Sequence, residues 1–89
     1  MLTWEIIAYG RVQGVGFRRY AYRCARLCQV RGYARNLSDG TVRILAQGEP
    51  SRLSEFCEML RLGDRHILVQ SLDINEVNNA VEYNDFDVC

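Results

Sequence analysis

Two stretches of this 89-residue chain carry apolar residues at helical spacing, and strand-like segments lie on either side of each. Phe17, Tyr20, Ala21, Cys24, Ala25 and Cys28 recur at i, i+3, i+4, i+7, i+8 and i+11, with Arg19, Arg23 and Arg26 off the stripe. Leu53, Phe56, Cys57 and Leu60 repeat the pattern behind Pro50, which suits a first helical turn, and Gly63 stops it. A helix with a single apolar stripe buries one face only, so both helices must cover one common surface. Residues 4–9 predict a first strand from their β-branched and aromatic content. Residues 30–37 and 41–47 predict two more, joined by Ser38-Asp39-Gly40, a strong hairpin signal. Residues 66–77 predict a long, bulged strand, Asn78-Asn79 breaks it, and residues 81–88 predict a short last one. Strand–helix–strand–strand–helix–strand plus a terminal strand is the α+β class: a ferredoxin-like split βαβ sandwich, with two helices on one face of an antiparallel sheet. Residues 1–89 then form a single domain.

Composition narrows the chemistry. Eleven acids cancel eleven bases, so no global field draws in a nucleic acid. All eleven bases are arginine, which removes a Schiff-base lysine and the lysine of GxxxxGK[ST] phosphate loops. The single His66 would have to carry any triad or histidine metal site alone. Of the four cysteines, Cys24 and Cys28 fall on the first helical stripe and no CxxC occurs, so Cys24, Cys28 and Cys57 read as small buried apolar residues. The spacing leaves a pairing between distant cysteines open. Neither a membrane-length apolar run nor a signal-peptide pattern follows Met1, so a cytoplasmic monomer without a membrane partner is expected.

The predicted topology runs the first and second strands in the same direction and brings their C-terminal ends to one edge of the sheet. The glycine loop of residues 10–16 and Asn36 should meet there, with small Gly32 and Ala34 leaving room beside Asn36. Gly10, Gly14 and Gly16 permit positive φ and close approach to a ligand, and a helix starts directly afterwards. Unpaired amides and the positive end of the helix dipole would converge on one spot, where Arg18 adds a full charge. A cation in a first helical turn costs roughly 0.3–1 kcal/mol, which an anion held between would offset. The same residues would also make a tight strand-to-helix turn with a solvated arginine. Asn36 can hold a water through one donor and one acceptor, and it is equally at home near a turn.

Gly10-Arg11-Val12-Gln13-Gly14-Val15-Gly16-Phe17-Arg18 resembles the first signature of the acylphosphatases. Gly32-Tyr33-Ala34-Arg35-Asn36, followed by Gly40, Val42 and Gly48, resembles the second. Residues 1–61 carry most of the resemblance, Tyr83-Asn84-Asp85-Phe86 adds to it, and Ala8 departs from a position the family fills with larger aliphatics. The resemblance implies hydrolysis of the carboxyl-phosphate anhydride of a small acyl phosphate, giving a carboxylate and inorganic phosphate. It implies that Arg18 and the amides of Gln13, Gly14, Val15, Gly16, Phe17 and Arg18 bind the phosphoryl oxygens. Asn36 would orient the attacking water, and the substrate's own phosphate would take its proton, with no metal, cofactor or covalent intermediate.

Two other readings stand beside it. One is an accessory phosphate-binding domain without turnover. The other is an RNA-binding module using the open sheet face of Tyr33, Arg35, Leu37, Arg43 and Leu45. Arg31-Gly32-Tyr33-Ala34 matches the first four RNP1 positions, but Arg35 and Asn36 stand where Phe and Val belong.

Overall fold

The structure, a computed structural model, describes residues 1–78 and 81–89. Strand β1 (Leu2–Arg11) leads to helix α1 (Phe17–Cys28), then to β2 (Arg31–Asn36) and β3 (Val42–Gly48). Helix α2 (Pro50–Leu62) follows, then β4 (Leu68–Glu76) and the short β5 (Phe86–Val88). The strands form one five-stranded sheet in the order β4-β1-β3-β2-β5. Antiparallel pairing of β1 with β3 and β4, and of β2 with β3, gives the expected split βαβ frame.

Strand parity puts Ile6 and Ala8, Ala34, and Val42, Ile44 and Ala46 on the face beneath the helices, all fully buried. The predicted stripes supply the other half of the core: Phe17, Ala21, Cys24, Ala25 and Cys28 from α1, and Leu53, Phe56, Cys57 and Leu60 from α2. Each large apolar side chain buried here contributes about 1.5–3 kcal/mol. Tyr20 is only half-buried, and its phenol donates to the Met59 carbonyl at 2.5 Å, fastening α1 to α2. That burial pushes the Tyr20 pKa up to about 12. The four cysteines are free thiols, three of them buried.

Three features of β2 and β5 differ from the sequence-based expectation. β5 pairs parallel with β2, Gly32 against Phe86 and Ala34 against Val88, so the sheet is antiparallel except along this edge. The last strand is also shorter than residues 81–88, because the Gln47 side chain replaces ladder pairing there. Its Nε2 donates to the Val81 carbonyl at 2.9 Å, and its Oε1 accepts the Tyr83 N–H at 3.0 Å. Finally, Gly32 serves its own strand more than Asn36. With φ at 139°, a Cβ there would stand 1.7 Å from the Leu45 carbonyl oxygen, so only glycine lets β3 pass.

β4 begins at Leu68, two residues later than expected, because Asp64 Oδ1 holds the His66 and Ile67 amides in a turn at 2.8 and 3.1 Å. The bulge is present: Tyr9 pairs with Ser71 but Gly10 with Val69. Of the expected Asn78-Asn79 break, Asn79 lies outside the described residues.

Candidate active site

β1 and β2 are both antiparallel to β3, so they end at the same edge of the sheet. The loop leaving β1 is fixed there by one side chain. Gln13 Nε2 donates to the Leu37 carbonyl at 2.7 Å and to the Thr41 carbonyl at 2.8 Å, clamping the loop to the β2–β3 hairpin just beyond Asn36. The hairpin is rigid in turn. Asp39 Oδ1 accepts from the Thr41 N–H and hydroxyl at 3.0 and 2.6 Å, bonds that hold its carboxyl below its ordinary pKa.

Gly14 and Gly16 take φ of 74° and 82°, and Gly16 is the left-handed N-cap of α1, with no side chain capping the helix. The first helical bond runs from the Tyr20 N–H to the Gly16 carbonyl at 3.0 Å. Among the described residues, no backbone N–H of residues 13–19 has an intramolecular acceptor. Four orphan amides are ordinary at a helix start, but here the unpaired run extends back through the loop. A Cβ at Gly14 or Gly16 would meet nothing within 4 Å, so space lies open beside these two glycines. No acidic residue occupies the first turn of α1.

A cavity of about 270 Å³ sits against this loop, lined by Gly14, Gly16, Phe17 and Arg18 of the expected phosphate-binding set. Gln13 and Val15 belong to the loop without lining the cavity, and Gln13 acts through its side chain as the clamp. Val12, Arg19 and Val88 complete the lining. The Arg18 guanidinium donates to the Cys89 carbonyl, and the Cys89 N–H donates to the Ala34 carbonyl at 3.0 Å. The residue after β5 therefore links Arg18 to β2, two residues before Asn36. Nothing local in the sequence reveals this, because it depends on which edge β5 joins.

Asn36 ends β2 opposite Val42, on the face that the helices cover. Its Oδ1 is buried and accepts no hydrogen bond. Its Nδ2 also lacks a partner among the described residues but is not buried, so one polar end of the amide stays open. An amide can turn end for end, so that open end can be donor or acceptor. His66 lies in the turn before β4, at the sheet end where Leu68 pairs with Arg11, and does not line the cavity. Among the described residues, no three His, Cys, Asp or Glu side chains converge as metal ligands, and no helix is long and apolar enough to cross a membrane.

Fold and site together define a class: a ferredoxin-like α+β domain presenting a guanidinium and a row of free amides at one sheet end. The acylphosphatase family profile matches residues 4–88. An acylphosphatase of Pasteurella multocida is 38% identical over 88 residues, covering 99% of this chain and 98% of that protein. The crystal structure of acylphosphatase from Bacillus subtilis superposes with a TM-score of 0.94 at 34% identity, covering 100% of this chain and 99% of that one. A crystal structure of full-length HypF in its phosphate- and nucleotide-bound form contains a similar unit, with TM-score 0.86 and 27% identity over 99% of this chain and 12% of its own. The chain belongs to the acylphosphatase family and is a hydrolase of that kind.

Proposed function

We propose that the cavity at α1 holds the phosphoryl group of an acyl phosphate while a water on Asn36 attacks phosphorus. The observation that carries this is the run of unpaired amides over residues 13–19, of which Gly14, Gly16, Phe17, Arg18 and Arg19 line the cavity. Donors fixed by a rigid loop need no reorganisation as charge moves onto the equatorial oxygens of a loose phosphoryl-transfer transition state. The water's oxygen bonds to phosphorus and the P–O bond to the acyl group breaks. The departing carboxylate is a weak base and leaves without a proton. The water's proton passes to a phosphate oxygen, so no protein base is needed. Asn36 positions the water through the open end of its amide, which cannot itself take a proton at neutral pH. The Arg18 fork matches two phosphate oxygens, and its bond to Cys89 ties it to the end of β5.

Benzoyl phosphate hydrolysis tests the assignment. Arg18→Ala and Asn36→Ala are each expected to lower kcat/KM about a hundredfold or more while the circular dichroism spectrum is retained. Near-normal turnover by either folded variant refutes it.

The accessory-domain reading has the HypF likeness in its favour and predicts phosphate binding without turnover, which the wild-type assay decides. The RNA reading loses much of its surface. Arg43 is paired with Glu5 at 2.9 Å, Leu45 is buried, and the Arg35 guanidinium lies 5.6 Å over the Tyr33 ring.

A further inference from the structure

A second cavity, of about 520 Å³, lies at the other end of the sandwich, where α1 and β3 end and β2 and α2 begin. The length of β2 sets it about 17 Å from Asn36, at about 3.3 Å per residue. Its volume falls within the roughly 300–1,000 Å³ of sites that take small molecules. Arg26 of α1, Arg31 of β2 and Arg52 of α2 all line it and all are exposed, so three separate elements each bring a guanidinium to one space. None of the three has a carboxylate within ion-pair reach among the described residues.

The contacts these arginines do make are with neutral groups. Arg26 Nη1 donates to the Tyr22 hydroxyl at 3.2 Å, and Arg31 Nη1 to the Tyr83 carbonyl at 3.4 Å. A guanidinium carries five N–H donors, so each keeps most of them free. The negative groups beside them are fewer and partly engaged. Asp85 accepts the Phe86 N–H at 2.9 Å, and the Ala25 and Arg26 carbonyls at the end of α1 already take the Val30 and Gln29 amides. Glu49 is the other carboxylate of the lining, so three positive charges stand against two negative ones. The wider surroundings carry the same sign: residues 6–38 hold seven arginines and no acid, a segregation that the zero net charge conceals. Buried Ala25, Val30 and Gly48 give the cavity a floor without charge.

We infer that this cavity is a second anion site, separate from the phosphoryl cavity, that binds the polyphosphate chain of a small molecule. Each guanidinium fork pairs with two phosphate oxygens, so three forks suit a chain of phosphates better than a single one.

Titration of the whole protein with inorganic triphosphate, followed through its backbone amide NMR signals, tests this. Amides of residues 25–31 and 47–49 should shift together with one affinity, distinct from any shift over residues 13–19. Arg26→Gln and Arg52→Gln should each weaken that affinity about twofold to fivefold, as expected for exposed ion pairs. Both should leave benzoyl phosphate turnover unchanged, and Arg18→Ala should leave the distal affinity unchanged. The affinity should also fall between about 0.05 and 0.3 M NaCl, as screening tightens. ATP binding more tightly than triphosphate assigns a nucleotide, whose base lies on the uncharged floor; equal affinities assign the phosphate chain alone. Shifts confined to residues 13–19, or a distal affinity that neither arginine substitution alters, overturn the inference. Benzoyl phosphate turnover is read separately, so that result leaves the proposed function standing.

Discussion

Gln13 offers the sharpest test of how the site is assembled, because its side chain reaches no cavity yet fixes the loop that does. Gln13→Ala removes two hydrogen bonds, to the Leu37 and Thr41 carbonyls. Neither carbonyl is left bare. Leu37 O still accepts from the Gly40 N–H at 3.3 Å, and Thr41 O from the Leu37 N–H at 2.9 Å. The loss is therefore the net worth of two neutral bonds, about 1–3 kcal/mol, without an added desolvation penalty. In a domain of this size it should lower Tm by roughly 4–8 °C per kcal/mol and leave the protein folded. Catalysis should suffer more than stability. A loop released by about 1 Å from the strand end bearing Asn36 is expected to cost on the order of a hundredfold in kcat. Urea titration gives the first quantity and benzoyl phosphate turnover the second. A cycle with Asn36→Ala separates positioning from direct contact. If Gln13 works by holding the loop against the water site, the two losses in kcat/KM fall well short of adding. Strict additivity, or a Gln13→Ala enzyme within twofold of wild type, would refute the clamp.

Other consequences can be checked more briefly. Gly32→Ala forces a Cβ against the Leu45 carbonyl at a φ that side chains rarely adopt, and should destabilise by about 3 kcal/mol or more in urea titration. Burial raises the Cys28 and Cys57 thiols from 9.0 to about 11. Their contribution to stability is therefore complete below pH 9.0 and lost as pH rises toward about 11, so the urea midpoint should fall between pH 8 and 10.5. Flattening that fall by Cys57→Ala, relative to the variant's own midpoint at pH 8, would confirm the cause. EDTA treatment and His66→Ala should each leave benzoyl phosphate turnover within about twofold, since no ligand cluster exists among the described residues and His66 does not line the cavity. A large loss with EDTA would contradict the mechanism.

Much of this architecture could be read from local signals, because the forces behind it are local. The apolar stripes of α1 and α2 needed only their spacing to be seen, and each predicted member except half-buried Tyr20 is buried. The Asp39-Gly40 turn announced the hairpin, and the glycine-rich loop announced unpaired amides before a helix. Topology alone then placed that loop and Asn36 at one sheet end. Long-range choices were not legible. Residues 81–85 have strand-like composition, yet a buried glutamine side chain captured them and shortened β5. The parallel pairing of β5 with β2, and with it the placement of Val88, Cys89 and Arg19 around the cavity, follows from packing that no short window contains. Gln13 was read for its amide, since a single glutamine says nothing about which carbonyls it will reach.

The bond from Arg18 to Cys89 joins residues 71 apart, and the clamp from Gln13 to Thr41 spans 28. Closing such wide loops costs chain entropy before any contact rewards it, whereas the helices can coil within microseconds. Sheets built from distant pairings slow the folding of small domains. Phosphate-cleaving competence should therefore arrive last: during refolding, recovered turnover should trail recovered helicity, making catalysis itself a late-folding reporter.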